Sequence, residues 1–134
     1  MTGETYSLPM VALRGFTILP EEVRHFDVSR EKSLLAIEEA VKNGQKLFVS
    51  AQKDLETEEP GAEDVYLVGC VVTIRQVVKV PKKMSRVLVS GEARASLVRL
   101  DSETPYLQAT IVELPDDEDV SEEQTAENPM NFEA

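Results

Sequence analysis

Leu8-Pro9-Met10-Val11-Ala12-Leu13-Arg14-Gly15, then Leu19-Pro20, then Phe26-Asp27-Val28-Ser29-Arg30-Glu31-Lys32-Ser33, chains a strand, a turn, a second strand and a helix cap into about 26 residues. Pro9 cannot donate to a strand ladder, so the first apolar run reads as an edge or leading strand. Pro20 holds Leu19 in extended backbone and sets a turn before a second strand. From Glu22 to Val28 polar and apolar residues alternate with period two. Val23 falls in one phase and Phe26 and Val28 in the other, so a bulge near His25 is expected to turn all three toward a core.

A helix follows. Ser29 suits the N-cap, Glu31 suits the first turn of the helix dipole, and Gly44 suits the position just past the C-cap. Leu34, Ile37 and Val41 recur at i, i+3 and i+7 with Ala40 in the same stripe, while Glu38, Glu39 and Lys42 lie on the other side.

Everything after the helix reads as strand and turn. Residues 46–52 form a strand, and residues 54–64 hold six carboxylates with Pro60 and Gly61, a solvated loop. Those acids lack the ligand spacing, central Gly and terminal Glu of a calcium loop. Residues 65–80 are a long β-branched run with Tyr66, Val68, Cys70, Val72 and Ile74 on one face and Val71 and Val77 on the other. Residues 81–85 make a turn, and Arg86 starts the return strand. Gly91 interrupts that strand, which marks a bulge or a close backbone approach. Beyond it Ala93 and Ala95 keep the inward phase and Leu97 closes it. Residues 106–114 supply a last strand. The class is mainly β with one α-helix, and bent strands this long let a small sheet curl into a barrel.

With 134 residues, no Trp and few aromatics, the chain suits one domain with a single aliphatic core over residues 6–114 and an acidic linker over 115–134. The net charge of −11 is unevenly placed: residues 1–100 hold 14 acids and 14 bases, whereas residues 101–134 hold 11 acids and no Lys or Arg. A neutral body with an acidic exit offers no footprint for nucleic acid. Residues 116–129 cannot build a core and read as a disordered or linker segment. Met130 and Phe132 bring apolar character back, so the natural chain is expected to continue past Ala134.

Catalytic chemistry is missing from the pattern. Cys70 stands alone inside an apolar strand and reads as a buried thiol, and His25 stands alone in a strand and reads as structural. The adjacent Glu38 and Glu39 point to different parts of the helix surface and cannot clamp a substrate together. No nucleophile elbow, phosphate loop or dinucleotide fingerprint is present. No signal peptide or membrane-length apolar run is present either, so a non-enzymatic, cytoplasmic chain without membrane contact is expected.

The order of these segments resembles the N-terminal domain of ATP-dependent Lon proteases. The resemblance rests on Leu8 to Arg14, Leu19-Pro20 and Val28 to Ser33. Val49 to Lys53, Tyr66 to Val71 and Val87 to Ala95 fit the same family, so it covers about residues 6–114. One departure is Leu19-Pro20-Glu21-Glu22, where that family often has Phe-Pro-Gly. The resemblance implies a six-stranded, PUA-like pseudo-barrel that recognises unfolded or damaged protein substrates and aids hexamer assembly with other subunits. The catalytic Ser-Lys pair, ATP and Mg2+ would belong to modules outside this chain, which itself would hold no cofactor. A stand-alone Lon-like or PUA-like binding domain and a purely oligomerising module are the alternatives; an RNA-binding version would need a basic face. Phe16, Ile18, Leu19 and Met84 are apolar residues expected in turns, and they are the candidate substrate contacts.

Overall fold

The computed structural model describes residues 5–57, 61–80 and 84–114, with the side chains of Ala62 and Val80 left aside. Six strands and one helix follow in the order β1 (Thr5–Leu13), β2 (Val23–Val28), α1 (Glu31–Lys42), β3 (Lys46–Ala51), β4 (Val68–Val80), β5 (Met84–Ser102) and β6 (Leu107–Glu113). They make one mixed sheet, β2-β5-β4-β3-β1-β6, in which β5 also pairs with β6. That extra pairing closes β5, β4, β3, β1 and β6 into a ring and leaves β2 attached to β5 alone. β1 and β3 run parallel, with Met10 opposite Phe48 and Leu13 opposite Ala51; α1 makes the crossover between β2 and β3.

Two bulges let the long strands serve two cores. Between Val71 and Val72 the register of β4 slips against β5, leaving Glu92 as the extra residue; between Ile74 and Gln76 the extra residue is Arg75. Each slip exchanges the faces of the residues beyond it. Val87 and Val89 therefore join Val11, Leu13, Leu47, Val49, Cys70, Val72 and Ile74 beneath α1. Ala95 and Leu97 instead face the inside of the ring with Met10, Ala12, Phe48, Val71, Ala109 and Ile111. The expectation of one core gives way to two, on opposite faces of β1, β3 and β4. The same slip at Arg75 brings Val77 to the side of Ile74 rather than opposite it.

Other details of the sequence reading are corrected. The register of β2 with β5 runs unbroken from Val23 opposite Ser90 to Val28 opposite Ser85, without a bulge at His25. Phe26 and Val28 are buried, and Val23 is turned outward at 64% exposure. The N-cap is Arg30, not Ser29, and it makes no side-chain capping bond. The buried stripe of α1 is Ser33, Ala36, Ile37 and Ala40, so Val41 is exposed and Leu34 only partly buried. Small residues win because the helix lies close against the sheet, where larger side chains would hold it off. Gly44 does follow the C-cap, at φ +94°, and the Gln45 amide donates to the Ala40 carbonyl at 2.7 Å. β4 begins at Val68, leaving Tyr66 and Val68 exposed at its start instead of buried with Cys70. Met84 and Ser85 belong to β5 and not to the turn. Gly91 is both a bulge neighbour and a close approach, as its position suggested. Residues 115–134, where the acidic segment was expected, lie outside the described residues.

Candidate functional site

The turn between β1 and β2 is a small platform pinned to β5. Gly15 opens it at φ +88°, and Glu21, standing where the resembling family often has Gly, adopts φ +70°. The Glu21 amide donates to the Gly91 carbonyl at 2.9 Å, and the Gly91 amide donates to the Glu22 carbonyl at 2.8 Å. A Cβ at Gly91 would stand 2.1 Å from the Leu19 carbonyl oxygen, so only glycine admits the turn this close. Within the turn the Leu19 amide donates to the Glu22 carboxylate at 2.9 Å.

This anchoring separates the neighbours Ile18 and Leu19. Ile18 is 1% exposed and belongs to the core under α1, whereas Leu19 is 57% exposed. Phe16 is partly buried: its ring lies 6.4 Å from that of Phe26, and the Arg24 guanidinium sits 4.6 Å from its centroid. Arg24 also donates to the Thr17 carbonyl at 3.4 Å and pairs with Glu22 at 3.7 Å. Beside the platform is a groove of about 380 Å³ lined by Gly15, Phe16, Thr17, Ala51, Gln52, Tyr66 and Val68. Tyr66 is 54% exposed, yet its backbone is fixed: its amide donates to the Ala51 carbonyl at 2.9 Å and its carbonyl accepts from the Ser50 hydroxyl.

Met84 lies elsewhere. It lines a cleft of about 190 Å³ between α1 and the start of β5, with Leu34, Ile37, Glu38, Val77, Lys79 and Ser85. Phe16 therefore lines the groove, Leu19 is exposed on the turn outside that lining, Ile18 gives its side chain to the core, and Met84 lines a separate cleft. Tyr66 and Val68 were missed as site residues because strand alternation assigned them to the buried face. The signal was the run Tyr66-Leu67-Val68 next to a polar loop, since three adjacent apolar residues of a strand cannot all face one core.

The titrating groups do not form a reactive cluster. Burial pushes the Cys70 thiol up, so it stays protonated. Asp27 is held below its usual range by its hydrogen bond to Arg86, and Glu92 by its hydrogen bond to Thr73. Among the described residues, no group of His, Cys, Asp and Glu could hold a metal ion, and no helix is long and apolar enough to cross a membrane. What the surface offers is apolar contact area on a fixed backbone.

Residues 7–132 match the family described as the ATP-dependent protease La (LON) substrate-binding domain. The chain belongs to this Lon family. It is 38% identical over 122 residues to the Lon protease of Clostridium acetobutylicum, covering 91% of this chain and 16% of that protein. It is 45% identical over 111 residues to the Lon protease of Lachnoclostridium phytofermentans, covering 83% and 14%. The chain thus spans only about one sixth of the Lon proteases it matches, and their catalytic domains are not matched. The solved N-terminal domain of a Mycobacterium avium complex Lon protease superposes with a TM-score of 0.66 at 20% identity, over 87% of this chain and 59% of that one. The Lon N-terminal fold, mainly β with one helix and a nearly closed ring of strands, is therefore the fold found here.

Proposed function

We propose that this Lon substrate-binding domain captures apolar stretches of unfolded or damaged proteins and delivers them to a Lon-type ATP-dependent Ser-Lys protease. One observation carries the reading: Phe16, Tyr66 and Val68 line an open groove whose backbone is hydrogen-bonded in place, and Leu19 stands exposed on the turn that Phe16 belongs to. A chain that has lost its fold exposes such side chains in many sequences, and a pre-formed apolar groove binds them without choosing one sequence. Met84 and the cleft beside α1 provide a second apolar contact on the same molecule. ATP and Mg2+ would act in the ATPase module of the parent protease, hexamer assembly would engage further surface of this domain, and the site of action would be the cytoplasm.

The test is binding of a permanently unfolded, carboxymethylated model protein to the domain and to two variants. Leu19→Ser should weaken binding about fivefold, the loss of roughly 1 kcal/mol of apolar contact. Met84→Ser should weaken it less. Unchanged binding in both variants would remove the assignment.

A further inference from the structure

The geometry points to strand addition: an extended, uncharged peptide segment adds to the free edge of β2 and places one side chain in the cavity beside it. This rests on the proposed function and names how the substrate backbone is held. Among the described residues, β2 ends the sheet and bonds to β5 only. Among the described residues, no turn or loop backbone bonds to Val23–Val28. On the far side of the opening, β1 beyond Met10 is likewise paired on one side only, with β3, because its pairing with β6 stops at Leu107. Between these two edges lies a cavity of about 160 Å³, walled by Leu13, Phe16, Phe26 and Val28 and bordered by Arg14, Asp27, the N-cap Arg30 and Ser33 of α1.

Two features favour an uncharged backbone as the occupant. Unpaired strand amides and carbonyls are matched by another extended chain, whose main chain supplies affinity while pockets take alternate side chains. The charges of this edge are paired within the chain, on its exposed surface: Arg24 with Glu22 at 3.7 Å, and Asp27 with Arg86 at 2.9 Å. What remains is a regular edge of six residues without net charge beyond these pairs, about 20 Å long, with a cavity of mixed apolar and polar lining on its inward side. Main-chain recognition also suits a receptor that must accept many sequences.

The probe is a blocked nonapeptide alternating Thr with Val or Leu, compared with two versions N-methylated at either the odd or the even positions. Strand addition orients alternate amides toward β2, so one methylated set should lose affinity about tenfold while the other stays within about threefold. Amides of residues 23–28 should gain protection from hydrogen exchange when the peptide binds. Equal effects of the two sets, no protection of β2, or no binding of the nonapeptide would each overturn the inference. So would a dimer paired through β2 that the peptide fails to displace. Binding of unfolded protein that still depends on Leu19 in those cases would leave the proposed function standing; loss of all such binding would remove that function instead.

Discussion

Gly91 ties the first turn of the chain to its longest strand, and the whole exposed platform depends on that one missing side chain. Both hydrogen bonds between the turn and β5 run through its backbone, and a methyl group there would collide with the Leu19 carbonyl. Gly91→Ala should therefore lower stability by about 3 kcal/mol, read by urea denaturation, and should weaken binding of unfolded protein by displacing Leu19. At this scale the sequence was informative where backbone sterics govern. A glycine inside a strand pattern signalled a close approach, and Gly44 signalled the helix end. It was silent on which of Ile18 and Leu19 points inward, because that depends on how the turn docks on β5, a contact more than 70 residues away in the chain.

α1 shows how far periodicity reaches for an element. The i, i+3, i+7 stripe correctly marked a helix but placed its centre one position away from the face the sheet accepts. The buried residues are Ser33, Ala36, Ile37 and Ala40, since the helix seats closely on β1 and β3. Ile37→Ala should cost about 3 kcal/mol, while Val41→Ser should stay within about 0.5 kcal/mol, both by urea denaturation. The reverse ranking would restore the stripe centred on Val41. Strand alternation failed in a related way: Val23, Tyr66 and Val68 looked buried on pattern alone. β2 follows one phase throughout, and β4 starts later than its apolar run, so these residues reach water, Tyr66 and Val68 at the groove.

For the whole molecule, the long bent strands announced a closed barrel, but its two cores and the seam that closes it could not be read in the sequence, because they arise from bulges at Glu92 and Arg75 and from β5 pairing with β6. The seam where β1, β5 and β6 meet is held on the outside by Asp101. Its carboxylate accepts from the Thr110 hydroxyl at 2.7 Å, the Ser7 hydroxyl at 2.9 Å and Arg99 at 3.0 Å. These bonds, Thr110 foremost, hold the Asp101 carboxyl below its ordinary range. A carboxyl lowered by folding stabilises the folded state above its unfolded pKa, near 4, and that contribution is lost as pH falls through the lowered value. Asp101→Asn should therefore reduce Tm at pH 7, with the difference from the parent shrinking as pH falls below about 4. A constant difference across that range would show that the clasp does not act through charge.

If the turn and groove of this Lon domain hold unfolded protein, backbone amide NMR will locate the contact when the domain is titrated with carboxymethylated, permanently unfolded protein. Shifts should concentrate at residues 15–19, 51–52 and 66–68, and the native, folded form of the same protein should leave them unmoved. Perturbations confined to other surfaces, or equal effects of folded and unfolded protein, would contradict it.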